Sequence, residues 1–145
     1  MGKYDALKLE NQLCFPLYAA SREMIKLYRP FLQKLDLTYT QYIVMQVLWE
    51  RESVSVRDMG HVLHLDSGTL TPVLKSLEAK GLVKRYRCTY DERVLIAEPT
   101  PKAMELRDNA MNVPEGMGEC PALSAEEYSQ LYGLLYKLLD RMEEE

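Results

Sequence analysis

Apolar side chains recur along this chain at intervals of three and four for most of its length, and near two over one short stretch. Leu13, Leu17, Ala20, Met24, Leu27 and Phe31 trace one helical stripe, and Cys14, Tyr18, Ser21, Ile25, Tyr28 and Leu32 trace a second beside it. About half of that helix's circumference is therefore apolar or aromatic, more than one neighbouring helix in a small domain would cover, and a second subunit is a natural cover for the rest. Thr38 followed by Gln41 reads as a capping box that opens another helix, with Tyr42, Ile43, Val47 and Leu48 running to Trp49 before Glu50, Arg51 and Glu52. Ser55 with Asp58 starts a short helix carrying Val56, Met59 and Leu63 on one face. Asp66 or Ser67 caps the next, in which Leu70, Val73, Leu74 and Leu77 face inward and Gly81 follows as the left-handed closing residue. Pro72 belongs at the edge of that helix's first turn, where proline is comfortable.

Past Gly81 the period falls toward two. Val83 to Cys88 and Val94 to Glu98 read as extended runs joined by Thr89, Tyr90, Asp91 and Glu92, a small hairpin. Met104 to Met111 forms a weaker helix, and Val113 to Ala122, with two prolines and two glycines, reads as a loop or linker. Ser124 and Glu127 make a second capping box, followed by Tyr128, Leu131, Leu135, Leu138 and Met142 in a heptad-like stripe. There are no internal repeats. The order of elements predicts a mainly α protein with a small β-hairpin wing: a winged helix-turn-helix with N- and C-terminal dimerisation helices. A single domain of 145 residues is expected, with dimerisation helices over about 6–34 and 100–145 and the winged-helix part over about 38–98.

Composition narrows the class. With 47% hydrophobic and 28% charged residues the chain has enough apolar mass for a core without disulfides, and disorder is excluded. No apolar run approaches the roughly 18 residues of a membrane span, and the first residues lack the apolar region of a signal peptide. A cytoplasmic protein with no membrane partner is expected. Three cysteines without a CxxC pair fit a reducing compartment. The net charge of −4 argues at first against nucleic acid, but its distribution softens the argument. Residues 55–93 hold seven Lys/Arg against five Asp/Glu, whereas residues 98–145 hold four against eleven. A positive face is available if the acidic end points elsewhere.

Helix, tight turn, helix and hairpin is the arrangement in which the second helix enters a DNA major groove and the hairpin reaches the neighbouring minor groove. Ser67 opens that second helix; Gly68, Thr71, Pro72, Lys75 and Ala79 point outward from it, with Thr69 and Ser76 on the flank. Small hydroxyl-bearing residues and a lysine approach bases and phosphates without an acidic side chain to repel them. The hairpin adds Lys84, Arg85, Arg87 and Arg93, and Asp91 is placed to hold Arg93 extended toward a narrow, electronegative groove. The blander reading is an ordinary solvated helix and hairpin. His61 and His64 lie three apart, but no metal-ligand spacing accompanies them, no phosphate loop or catalytic triad pattern occurs, and no cofactor is expected.

The run LDSGTLTPVLKSLEAKGLVKRYR, Leu65 to Arg87, followed by Asp91, Glu92 and Arg93, resembles the recognition helix and wing of the MarR family of bacterial transcription regulators. LENQLCFPLYAASREM, Leu9 to Met24, and LTYTQY, Leu37 to Tyr42, resemble that family's organic hydroperoxide sensor branch. The match covers roughly residues 9–98. Beyond it Pro99, Thr100, Pro101, Lys102 and Ala103 replace the family's usual leucine, threonine and turn glycine. The resemblance implies a non-enzymatic, homodimeric repressor that binds an inverted-repeat operator in double-stranded DNA while an N-terminal-helix cysteine, here Cys14, is reduced.

A thiol senses peroxide only when partly ionised, since the thiolate attacks oxygen and an ordinary cysteine is only a few per cent ionised at pH 7. The resemblance makes Tyr28 and Tyr39 the phenols that hydrogen-bond the sulfur from the partner subunit, with Tyr18 a third. Apolar walls from Phe15, Leu17 and Met24 suit an organic hydroperoxide as inducer. Oxidation gives a sulfenic acid that condenses with a second thiol. Cys120 is the position that resembles the resolving cysteine of the family's two-cysteine members; a free surface thiol, or reaction with a low-molecular-weight thiol, is the alternative. Cys88 reads as filler. Two rival readings are a MarR-type repressor answering a small phenolic ligand without redox chemistry, and a thiol peroxidase working through Cys14.

Overall fold

The structure is a computed structural model that describes residues 2–118 and 122–143. Two short 3-10 turns, Asp5–Leu7 and Leu9–Asn11, precede helix α1, Cys14–Gln33. The first helix, expected from about residue 6, therefore starts later. The Asn11 amide donates to the Asp5 carbonyl at 2.7 Å, and Lys8 and Gln12 are extended. That side-chain bond competes with helical pairing in the stretch before Cys14.

Helix α2, Tyr39–Arg51, is the central element, with Gln41, Tyr42, Val44, Met45, Val47 and Leu48 buried. Both arms of the expected capping box form: Thr38 N donates to Gln41 Oε1 at 2.9 Å and Gln41 N to Thr38 Oγ1 at 3.2 Å. A two-residue strand β1, Val54–Ser55, leads into α3, Val56–Leu63, and a turn leads to α4, Ser67–Ala79. Strands β2, Val83–Arg87, and β3, Leu95–Pro99, form the hairpin, with Val83 opposite Pro99 and Arg87 opposite Leu95. The hairpin is not isolated: β1 pairs antiparallel with β3, Val54 opposite Ala97, giving the sheet order β1-β3-β2. Two residues are too few to show an alternation, so periodicity does not reveal β1.

Helix α5, Pro101–Ala110, follows directly. Thr100 caps it by accepting from Ala103 N, and Pro101 takes the first helical position, where its missing N–H costs nothing. The expected linker at Val113–Ala122 is corrected in its first half, because Asn112–Met117 forms α6, with Val113 buried. Pro114 falls in the first turn of α6, where proline is tolerated. Gly116 answers a packing demand: a Cβ there would lie 2.1 Å from Phe31 Cε1. Helix α7, Ala125–Glu143, opens with the expected box, Glu127 N donating to Ser124 Oγ at 3.1 Å.

The core joins Leu32 at the end of α1 to α2, α3, α4, the sheet, α5 and Val113. The two long terminal helices contribute almost nothing to it. Leu32 is the one buried residue of α1, and none of the described residues of α7 is buried. Among the described residues no helix is long and apolar enough to cross a membrane.

Candidate nucleic-acid interface and sensor cysteine

The helix-turn-helix is closed by backbone contact. His64 takes a left-handed conformation, φ 55°, at the end of α3, and Leu65 N returns to Gly60 O at 3.0 Å. A Cβ on Gly60 would stand 2.8 Å from the Leu65 carbonyl oxygen, so the turn has room only for glycine there. Asp66 then caps α4, its Oδ1 accepting from Thr69 N at 2.7 Å. That hydrogen bond, with a smaller contribution from the Thr69 side chain, holds the Asp66 carboxyl below its ordinary value. At the far end Gly81, φ 75°, closes the helix: Gly81 N reaches Glu78 O and Leu82 N reaches Leu77 O, the paired bonds of a Schellman stop.

Between those ends α4 buries Leu70, Leu74 and Leu77 and leaves Ser67, Gly68, Thr69, Pro72, Lys75 and Ala79 exposed, with Thr71 half-buried. Pro72 lies deeper than the first turn, at the sixth helical residue. It removes the donor that the Gly68 carbonyl would otherwise receive, and both residues are exposed. Ser76 is half-buried and its hydroxyl is engaged inside the molecule, accepting from Gln41 Nε2 at 2.8 Å and donating to Val73 O at 2.7 Å.

Arg85 is likewise engaged inside the molecule. Its Nε and Nη2 both sit 2.5 Å from Glu78 Oε1, tying the base of the wing to the end of α4. Arg87 and Lys84 remain exposed. Arg93, with 90% of its side chain exposed, stands at the wing tip. Asp91 holds it in the expected manner, Oδ1 accepting from Arg93 Nε at 3.0 Å and Oδ2 from Nη2 at 3.2 Å. The same bonds keep the Asp91 carboxyl low, its Arg93 side-chain contact first and the backbone N–H second.

The second cluster lies along α1. Cys14 is exposed as its first residue, at the positive end of the helix dipole. Tyr18, one turn on, is exposed and accepts from Arg22 Nη1 at 3.4 Å. Tyr28 sits toward the other end and packs with Tyr39 at 5.0 Å between ring centroids. Tyr42, which sequence reasoning placed only in the core, completes the group at 6.1 Å from Tyr28 and 6.3 Å from Tyr39. Burial first, and the neighbouring Tyr28 hydroxyl second, push the Tyr39 phenol up from its ordinary value, and the Tyr42 phenol rises for the same reasons with Tyr39 added. Both are therefore neutral O–H donors at physiological pH. Fourteen residues of helix place Cys14 about 21 Å from Tyr28 along the axis, so one chain does not bring the sulfur and these phenols together.

Cys88 is half-buried at the end of β2, its N–H donating to Val94 O at 2.8 Å. Cys120 lies outside the described residues. His64 Nδ1 lies 3.2 Å from Glu143 Oε1, and no cluster of His, Cys, Asp or Glu able to hold a metal occurs among the described residues.

Residues 26–110 match the family model described as transcriptional regulator SarA/Rot. The organic hydroperoxide resistance transcriptional regulator of Bacillus subtilis is 46% identical over 141 residues, covering 97% of this chain and 96% of that protein. The chain belongs to the MarR/SarA group of transcriptional regulators. Among solved structures, AbfR of Staphylococcus epidermidis superposes on this regulator with a TM-score of 0.76 and 33% identity over 99% of each chain. Reduced AbfR bound to DNA scores 0.77 at 34% identity, covering 97% of this chain and 99% of that one, and overoxidised AbfR bound to DNA also scores 0.77. Disulfide-formed AbfR falls to 0.63 at the same 34% identity, over 94% and 96%. The shape of this regulator thus matches the DNA-bound states of AbfR better than its disulfide state.

Proposed function

We propose that this regulator is a homodimeric repressor that binds an inverted-repeat operator in duplex DNA and releases it when an organic hydroperoxide oxidises Cys14. In this reading Thr71, Pro72 and Lys75 of α4 meet the major groove, flanked by Ser67, Gly68 and Thr69, and Arg93, aimed by Asp91, enters the minor groove, with Arg87 on the backbone. The carrying observation is the split sensor. The cysteine stands exposed at one end of α1 and a tyrosine cluster at the other, in a chain 46% identical to a hydroperoxide resistance regulator. Only an antiparallel partner helix closes a gap of about 21 Å, and the exposed apolar faces of α1 and α7 supply the surface for that partner.

The chemistry balances within the site. The Cys14 thiolate attacks one peroxide oxygen, an S–O bond forms as the O–O bond breaks, and the alkoxide leaves and takes up a proton as the alcohol. Sulfur loses two electrons and the peroxide gains them. The sulfenic acid then condenses with a second thiol, Cys120 of the other subunit or a small cellular thiol, expelling water. The new bond displaces the phenols packed at the interface and spoils the spacing of the two recognition helices.

The test is release from DNA in cumene hydroperoxide. The parent protein dissociates, and Cys14→Ser stays bound; dissociation of Cys14→Ser by peroxide would refute the sensor. A non-reducing gel with intact-mass analysis separates the resolving routes: a disulfide-linked dimer lost in Cys120→Ser identifies the two-cysteine route, and a mixed disulfide with added thiol identifies the other.

A further inference from the structure

Gln41 is the single buried polar side chain among the described residues, with 6% of its surface exposed. A buried amide is costly unless it is hydrogen-bonded, and both ends of this one are used. Its Oε1 accepts from Thr38 N at 2.9 Å and from Lys80 Nζ at 3.1 Å, while Nε2 donates to Ser76 Oγ at 2.8 Å. Ser76 in the last turn of α4 and Lys80 at its C-cap are one turn apart, so the amide grips that end of the recognition helix twice. Lys80 Nζ also donates to Asp36 O in the turn before α2, and Lys102 Nζ of α5 donates to Lys80 O at 2.8 Å. No other hydrogen-bonded path among the described residues joins the start of α2 to α4.

The same turn of α2 belongs to the tyrosine cluster. Tyr39 stands two residues before Gln41 and Tyr42 one after, and the capping box that Gln41 itself completes ties the turn down. Translation of Tyr39 therefore moves the Gln41 backbone with it, and the amide cannot follow without pulling on Ser76 and Lys80 or abandoning them. An apolar residue in this place would fill the core equally well. It would leave the tyrosines and the recognition helix joined only by non-directional packing.

We propose that Gln41 is a positioning residue that transmits displacement of Tyr39 to the recognition helix through Ser76 and Lys80, so that oxidation of Cys14 is felt at DNA. The inference rests on the sensor reading above and adds the route by which the signal travels.

Three quantities are measured on the full chain with a DNA fragment enriched on the reduced protein: the rate of Cys14 sulfenic acid formation, the Kd of the reduced form, and the ratio of oxidised to reduced Kd. For Ser76→Ala the first two stay within about twofold of the parent, whereas the ratio falls by about tenfold. Ser76→Thr, which keeps the hydroxyl, restores the ratio. Lys80→Met, at a partly exposed position that leaves the capping box intact, lowers the ratio in the same direction and serves if Ser76→Ala does not fold. A ratio unchanged in both Ser76→Ala and Lys80→Met overturns the route. A weaker reduced Kd with an unchanged ratio also overturns it and returns Ser76 to the DNA surface. Release of Cys14→Ser by peroxide, or absence of sulfenic acid in the parent, defeats the sensor reading and the route together, and that arm is scored without any variant of α4.

Discussion

At the residue scale the recognition helix is set by two side-chain decisions, a carboxylate before it and the lack of one Cβ behind it. Asp66 accepts the Thr69 N–H as a charged group, which is why its carboxyl lies below the ordinary 3.8. A group with a depressed folded value contributes stability above its unfolded value and loses it as pH falls through the folded one. The α4 cap is therefore intact at neutral pH and fails only below about pH 3.8. Asp66→Asn, which caps about as well without a charge, should keep the melting temperature at pH 7 and flatten its decline in acid, whereas Asp66→Ala should lower it throughout; thermal melts from pH 3 to 7 check both. Gly60 is the other decision. The Cβ of Gly60→Ala meets a backbone oxygen at 2.8 Å, which cannot swing aside as a side chain does. A loss of about 1–3 kcal/mol in chemical denaturation is expected, with weaker DNA binding from a displaced α4.

At the scale of elements, the wing works as a lever with a fixed base and a loaded tip. Arg85 pins the base to α4 through Glu78 and Asp91 loads the tip by holding Arg93. The two arginines should therefore fail differently. Arg93→Ala should weaken operator binding about tenfold or more and relax preference at the minor-groove position, leaving the thermal transition unchanged. Arg85→Met should lower the melting temperature, and double substitution with Glu78→Gln should cost little beyond either single change, since one contact is removed in each case. Fluorescence anisotropy against salt concentration, paired with melts, distinguishes the roles. Much of this was legible beforehand, because capping boxes, the Gly81 stop and the period-two hairpin are local signals. The internal partners of Ser76 and Arg85, Gln41 and Glu78, are not legible in the sequence, because they are set by the packing of α4 against α2 and the wing, 35 residues away in the first case. The helix at Asn112–Met117 was hidden because Pro114 and Gly116 look like breakers, although one falls in a first turn and the other answers to Phe31. Tyr28 and Tyr39 were placed by resemblance alone; nothing in their spacing announces an aromatic contact between two helices.

At the scale of the whole molecule, the two longest helices are the least buried. Leu13 at the N-cap of α1, Tyr18 and Leu27 on α1, and Leu131, Leu134 and Tyr136 on α7 are each 46–76% exposed, while the core is built from the elements between them. Apolar surface on that scale is costly in a monomer, and a standard interface of about 800 Å² per partner would cover it. In the proposed function three requirements converge on a second copy of the chain: cover for these faces, a second recognition helix for an inverted repeat, and tyrosines for a sulfur that lies about 21 Å from its own along the helix. A single disruption should therefore undo all three. Leu27→Glu combined with Leu134→Glu places charge on exposed positions, so the monomer fold should persist with an unchanged circular dichroism spectrum. Sedimentation should show half the mass, operator affinity should fall by orders of magnitude as the avidity of two half-sites is lost, and Cys14 should react more slowly with cumene hydroperoxide because the partner's phenols are gone. Retention of the parent's oxidation rate by a verified monomer would mean that Cys14 needs no second subunit, and the split sensor would be the wrong description of this site.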